Sequence, residues 1–144
     1  MVLLQQVVNS ASFEYAVLNN LYKNKRQFVD TILTNDQVLS RFMSGNQNNE
    51  GNDFELDVDL TIYQASGNTV GYTYPSTVRT WINRTFFDSY SPAEVAGNLA
   101  HEYCHKIGFS HAKWAWPSRK YSVPYAIGYL VQELAEKLSS GKSI

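Results

Sequence analysis

One segment in the last third of the chain restricts the fold more than any other, because both ends of a helix are marked within it. Ser91 has the chemistry of an N-cap, Pro92 fits the first helical position, and Glu94 stands three residues after the cap, as in a capping box. At the other end, Gly108 is predicted to adopt the left-handed conformation that ends a helix. The sequence therefore predicts a helix over residues 92–107.

This predicted helix has an apolar face and, opposite it, a face with histidines. With successive residues about 100° apart, the apolar sector contains Ala96, Ala100, Tyr103 and Ile107, flanked by Leu99 and Cys104. Cys104 is therefore predicted to be a small buried hydrophobe and not a metal ligand. His101 and His105 lie on the opposite side, one turn apart, where two imidazoles can approach one metal ion. Glu102 falls on the flank between this side and the surface.

His111 is the candidate third ligand. A catalytic zinc ion takes three protein ligands and keeps a fourth position open for water. His111 stands six positions after His105, so the chain must leave the helix sharply if His111 is to return to the same ion. Gly108 permits such a turn because it has no Cβ. In such a site zinc activates the water and Glu102 takes its proton. Since all three histidines of the chain stand at these spacings, we expect one zinc ion bound by His101, His105 and His111.

Hydrophobic periodicity and turn residues predict the remaining elements. These are helices over residues 3–21, 34–45 and 124–138 and strands over residues 54–62, 69–74 and 78–87. The first helix is expected to break near residues 9–12. Thr34 and Gln37 have capping-box spacing at the start of the second. No linker-like stretch divides the chain, so one domain spans residues 1–144.

The strand predicted over residues 54–62 carries an acidic row on its polar side. Glu55, Asp57 and Asp59 alternate with apolar residues. A calcium site needs oxygens that converge from a loop, whereas alternating strand residues are spread along one face. We therefore interpret the row as a solvated face.

Charge and hydropathy exclude two classes of partner. The formal net charge is -1, the pI is about 6.3, and no basic tract is dense enough to bind a row of phosphates, so nucleic acid is not expected. No apolar run is long enough to cross a membrane, and the opening residues lack the positive region of a secretory signal. Cys104 alone forms no internal disulfide, which leaves the compartment open.

The segment His101-Glu102-x-x-His105-x-x-Gly108-x-x-His111 resembles the long zinc-binding signature of the metzincin metallopeptidases. The strict match covers only these eleven residues. The resemblance implies a small metzincin-like zincin fold of the α+β class. In that fold, N-terminal helices, a short twisted mixed sheet and the active-site helix form an upper subdomain, residues 1–111. Loops and a C-terminal helix form a lower one, residues 112–144. It also implies that an edge strand, for which residues 71–74 are the candidate, aligns an extended substrate.

One feature departs from the metzincin pattern. Metzincins have a methionine in a tight turn beneath the zinc, but Met1 and Met43 both precede the motif. Residues 122–125 occupy the place of that turn and are expected to pass beside the zinc. Some family members use a tyrosine of the turn as a zinc ligand or oxyanion donor. Tyr125 is the candidate for this catalytic role, with Tyr121 as its rival and simple packing as the alternative.

Three functions follow from these features. The first is a zinc-dependent endopeptidase that hydrolyses peptide or protein substrates with Glu102 as general base. The second is a catalytically inactive, zinc-stabilised binding or structural module, which the missing methionine favours. The third is a latent enzyme whose N-terminal helices cover the cleft. Glu102 favours the enzyme, because a structural zinc site does not need a base. The substrate and the oligomeric state do not follow from the sequence.

Overall fold

Six α-helices and a three-stranded mixed sheet form the regular structure of the part of the chain described by the computed structural model, residues 1–20, 28–48, 50–111 and 116–144. The helices are α1 (Val2–Val8), α2 (Ala11–Leu18), α3 (Asn35–Met43), α4 (Arg84–Phe87), α5 (Pro92–Lys106) and α6 (Val123–Ser139). The strands are β1 (Asp59–Tyr63), β2 (Gly71–Thr73) and β3 (Arg79–Asn83). The predicted α+β class is confirmed. Within these ranges, no helix is both long and apolar enough to span a membrane.

Two N-terminal helices replace the single periodic stretch, with the break where it was predicted. α1 ends at Val8, and Ser10 begins α2 by accepting a hydrogen bond from the backbone N–H of Phe13 at 3.1 Å. Leu21, the predicted end of this stretch, lies outside the described residues. The predicted capping box at the start of α3 is confirmed, because Thr34 Oγ1 accepts from Gln37 N–H and Gln37 Oε1 accepts from Thr34 N–H.

The sheet has the strand order β1-β3-β2. β1 runs parallel to β3, and β2 runs antiparallel to it. One face packs on the helical core, where Thr80 and Ile82 are buried. The short antiparallel strand β2 is therefore an edge of the sheet among the described residues, as required of a strand that pairs with an extended ligand.

The first predicted strand, residues 54–62, was wrong in its first half. β1 begins only at Asp59, where its pairing with β3 begins at Arg79. Upstream, the side-chain amide of Gln47 takes the place of a strand by accepting from Asp57 N–H at 2.7 Å and donating to Asp57 C=O at 3.0 Å. Phe54 has a φ of 62° and is 76% exposed.

The strand predicted over residues 78–87 was also too long. β3 stops at Asn83, whose side-chain oxygen accepts a hydrogen bond from Thr85 N–H at 3.2 Å and caps the single helical turn α4. The same side chain donates to Ala65 C=O at 3.1 Å. A buried cap thus ends the strand in a segment whose residues have high strand propensity.

Helices α5 and α6 form the most extensive helix contact among the described elements, and both also contact α1. The apolar sector of α5 is buried as predicted, and Ile127, Leu130, Val131 and Leu134 form a buried stripe on α6. Cys104 is fully buried in this core, which confirms its prediction, and burial raises the pKa of its thiol well above the ordinary value. The proposed subdomain boundary between residues 111 and 112 adjoins residues 112–115, which are not described, and stays a prediction.

The two long helices cross at a pair of glycines. A Cβ on Gly128 would lie 2.9 Å from the carbonyl oxygen of Gly97 and 3.2 Å from Cβ of His101, and a Cβ on Gly97 would lie 2.7 Å from the carbonyl oxygen of Gly128. Backbone therefore meets backbone at the crossing. This close approach brings the first turns of α6 next to the histidine face of α5.

Gly128→Ala is expected to lower the free energy of unfolding by about 1–3 kcal/mol, the usual cost of overpacking. The direction of the change in the free energy of unfolding is informative, because at an open helix position Ala is more stabilising than Gly by about 0.5–1 kcal/mol. Urea denaturation measures the change. The control Glu133→Ala alters an exposed position on the same helix and should shift stability by no more than about 0.5 kcal/mol. A Gly128→Ala protein more stable than wild type would show that the helices do not cross this closely.

Candidate metal centre

The first two histidines project from α5 one turn apart. The Nε2 atoms of His101 and His105 are 3.3 Å apart, and their ring centroids are 5.0 Å apart. The helix that carries them is set by its predicted ends: the Ser91 side chain caps it in a capping box with Glu94, and Pro92 is in its first turn. The local sequence therefore fixes the spacing of these two rings.

The third histidine reaches the same place through a sharp turn. Gly108 has a φ of +93°, as predicted, and follows Ile107, the C-cap residue of α5. Phe109 N–H then bonds back to Cys104 C=O at 2.9 Å, which reverses the chain. The His111 ring centroid lies 5.2 Å from that of His101 and 4.9 Å from that of His105. One ligand atom from each of the three rings lies within 4.8 Å of the others, close enough to bind one metal ion.

Backbone carbonyls orient two of the rings. His105 Nδ1 is 2.9 Å from Phe109 C=O, and a carbonyl only accepts, so Nδ1 carries the proton. The Pro124 carbonyl likewise accepts from the His101 ring. Nε2 of His105 then carries no proton in the neutral ring and faces Nε2 of His101 across 3.3 Å, so both nitrogens are directed at one place. Such carbonyl contacts are typical of metal-ligating histidines.

Both rings are held in the uncharged form that binds metal. Burial lowers the pKa of His101 well below its ordinary value, and the neighbouring His105 and His111 lower it further. Burial also lowers the pKa of His105, partly opposed by its hydrogen bond to Phe109. Because a metal ion competes with protons for imidazole nitrogen, these shifts favour metal binding at neutral pH.

Glu102 lies on the same cleft but is buried, with 5% of its surface exposed. It was expected on the flank between the histidine side and the surface, and the structure buries that flank. Burial raises the pKa of its carboxyl to about 7, and the neighbouring cation Lys106 limits the rise. Lys106, one turn further along α5, is itself buried, donates to Val78 C=O, and has its pKa lowered by burial to about 8. The i, i+4 spacing of Glu102 and Lys106 was the overlooked sequence signal.

Of residues 122–125, which were expected beside the zinc, Pro124 and Tyr125 contact the histidines from the first turn of α6. The Tyr125 ring is 4.5 Å from that of His101 and 4.8 Å from that of His111, measured between centroids. Burial raises the pKa of Tyr125, so its hydroxyl keeps its proton at neutral pH. The rival Tyr121 packs at the edge of the core, and its carbonyl accepts from Val29 N–H at 3.0 Å. Tyr125 is therefore the tyrosine of this turn that the structure brings to the histidines.

The histidines open onto a cleft of about 1010 Å³. β2 forms one side of it, α5 the floor, and Arg119 with the first turns of α6 the other side. Gly71 allows β2 to lie close to the floor, because a Cβ there would be 3.0 Å from Asn98 Oδ1. That Asn98 oxygen is buried and has no hydrogen-bond partner among the described residues. Neither Asn98 nor Arg119 carries a sequence signal that marks it for this cleft.

The acidic row of Glu55, Asp57 and Asp59 does not join this centre. Asp59 forms an exposed ion pair with Arg79 at 2.6 Å, and Glu55 and Asp57 are exposed. Within the described ranges, the three histidines are the group with metal-ligand spacing. The interpretation of the row as a solvated face agrees with this arrangement.

Comparison of the chain with protein-family models, with curated proteins and with solved structures found no match. The chemistry of the centre is therefore inferred from its own residues.

Proposed function

We propose that this chain is a zinc-dependent endopeptidase with a small metzincin-like fold. The observation that carries the proposal is that three imidazoles converge at the base of an open cleft that a buried carboxylate, Glu102, also lines. A purely structural zinc site normally closes its fourth position with Cys or His. Among the described residues, no fourth Cys or His joins the three histidines.

The spacing of the nitrogens fits zinc. Two nitrogens that lie about 2.0–2.1 Å from one ion at a tetrahedral angle are about 3.3–3.4 Å apart. The Nε2 atoms of His101 and His105 are 3.3 Å apart. An all-imidazole set suits zinc better than the oxygen-seeking magnesium or calcium. His101, His105 and His111 are the residues that would hold the ion.

The roles of the protein groups follow from their positions. When bound, zinc polarises the scissile carbonyl and lowers the pKa of a coordinated water to about 7. Glu102 takes the proton of the attacking water and later delivers it to the leaving amine, and a carboxyl with a pKa of about 7 suits both transfers at neutral pH. Tyr125, protonated and in contact with two of the rings, donates its hydroxyl hydrogen to the oxygen that becomes negative.

The cleft supports an extended substrate. The backbone of β2, at the edge of the sheet, lines it and offers N–H and C=O groups for pairing with a peptide in strand conformation. An open groove of this kind admits an internal stretch of a polypeptide, which favours an endopeptidase.

Metal content and cleavage measured on the same preparation test this proposal. We expect about one zinc per chain by elemental analysis and cleavage of a random peptide library followed by mass spectrometry. A chelator should abolish the cleavage, and added zinc should restore it. Cleavage that continues after complete removal of metal would contradict the proposal. A fully zinc-loaded protein that cleaves nothing would favour the binding or structural module.

A further inference from the structure

Arg119 places a cation in the cleft beside the histidines. It is the first residue of a short 3₁₀ turn, Arg119–Tyr121, that precedes α6. Its Nε–H points at Nδ1 of His111 from 3.4 Å, a long contact, and its guanidinium carbon lies 4.9 Å from the centroid of the Tyr125 ring. The guanidinium therefore lies over the Tyr125 ring and next to the proposed metal ion.

This cation has no acidic partner within the protein. All thirteen Asp and Glu residues fall in the described ranges, and none forms an ion pair with Arg119. Arg79, by contrast, pairs with Asp59, and Glu102 has Lys106 as its cationic neighbour. A guanidinium beside a site for a metal cation is repelled by that ion unless an anionic group lies between them. The arrangement therefore favours a negatively charged group in the ligand.

The free donors of Arg119 have the right geometry for a carboxylate. The two Nη nitrogens form no hydrogen bond with any residue that the structure describes. Because Nε–H is directed at His111, the two Nη nitrogens are left for the two parallel N–H···O bonds that a carboxylate accepts. The residue is half-buried and lines the cleft, so a bound substrate can reach it.

We propose that Arg119 binds a carboxylate of the substrate close to the scissile bond. This inference rests on the proposed peptidase function and specifies its substrate class. The contact with His111 limits the distance, since each extended residue spans about 3.3–3.6 Å and the carboxylate must lie within about two residues of the carbonyl that is attacked. The carboxylate is either an acidic side chain, which is consistent with an endopeptidase, or the free C-terminus of the peptide, in which case the peptidase removes one or two C-terminal residues and is not an endopeptidase.

Three matched peptide libraries separate these two sources. The first contains acidic residues and has amidated C-termini, the second lacks acidic residues and has free C-termini, and the third lacks both. Wild type should cleave the first or the second with a kcat/KM about 10- to 100-fold above the third, the range for a hydrogen-bonded charge pair. Preference for the first identifies an acidic side chain, and preference for the second identifies the C-terminus.

Arg119→Gln should remove this preference, mainly through KM, so that the variant cleaves the preferred library and the third library with the same kcat/KM. The matched control is Lys120→Gln, because Lys120 is exposed on the same turn and does not line the cleft among the described residues. It should behave as wild type. Equal loss on all three libraries in Arg119→Gln would overturn the proposal and assign Arg119 to the transition state. The absence of any preference in wild type would overturn it as well.

A binding measurement decides the question even if no peptide is cleaved. Zinc-loaded Glu102→Gln protein is titrated by calorimetry with three blocked tripeptides. Two are alanine tripeptides, one with a free C-terminal carboxylate and one with a C-terminal amide. The third is the C-terminal amide with one alanine replaced by glutamate. We expect one of the two carboxylate peptides to bind about 10- to 100-fold more tightly than the plain amide, and Arg119→Gln in the same background to abolish the difference. A difference that survives Arg119→Gln would show that the carboxylate binds zinc alone, which would overturn the proposal.

Discussion

Glu102→Gln is expected to lower the rate of peptide hydrolysis about 10²- to 10⁴-fold, the effect of removing a general base, while the protein still binds one metal ion. Glu102 lines the cleft next to His101 but is not one of the three grouped ligands. Gln has the size of Glu and resembles its neutral form, which is well populated at pH 7 because the pKa is about 7. The folded structure should therefore tolerate the change.

Cleavage rates and metal content must be measured together on this variant. The control Glu133→Gln removes an exposed carboxylate from α6 and should leave both quantities unchanged. Thermal unfolding of both proteins identifies any loss of stability. If Glu102→Gln cleaves as fast as wild type, Glu102 is not the base. If wild type and Glu102→Gln both hold zinc and neither cleaves peptides, the binding or structural module replaces the peptidase as the function.

His101→Ala is expected to remove both the metal and the activity. The His101 ring lies in the middle of this group, because it faces His105, His111 and Tyr125. The Pro124 carbonyl orients it. Loss of a residue that only orients a ligand costs about 10- to 100-fold in metal affinity, so loss of the ligand should cost more than about 100-fold. Competition with a chelating dye measures the affinity.

The same variant distinguishes a catalytic zinc from a structural one. The core of α5 faces away from His101 and packs on α1 and α6 through apolar residues, so the fold should not depend on the metal. His101→Ala should therefore keep its helical circular dichroism and a cooperative unfolding transition. A structural zinc predicts the opposite result, in which loss of the metal unfolds the domain. Unfolding of His101→Ala, together with unfolding of chelated wild type, would assign the ion a structural role.

The histidine centre could be predicted from the sequence because its geometry is largely local. Ser91, Pro92 and Glu94 start α5, and Gly108 ends it, through contacts within a few residues. Helical periodicity then orients His101 and His105 to one side and Cys104 to the core. The return of His111 depends on one positive φ, which glycine adopts without strain.

The extents of the strands could not be predicted in this way, because a strand continues only as far as its partner does. Residues 54–58 alternate like a strand, but β3 offers no residues opposite them, and Gln47 binds that stretch through its side chain. Residues 84–87 have strand propensity, but Asn83 caps a helical turn there. In both places a residue outside the pattern decides the outcome.

The surroundings of the centre are likewise a product of the tertiary structure. The burial of Glu102, the Pro124 carbonyl on His101 and the Arg119 cation beside Tyr125 depend on how closely α6 packs on α5. That closeness comes from the crossing at Gly97 and Gly128, thirty-one positions apart in the sequence. Ligand spacing is encoded by neighbouring residues along one helix, whereas pKa values and cleft shape depend on distant segments that meet only when the chain folds.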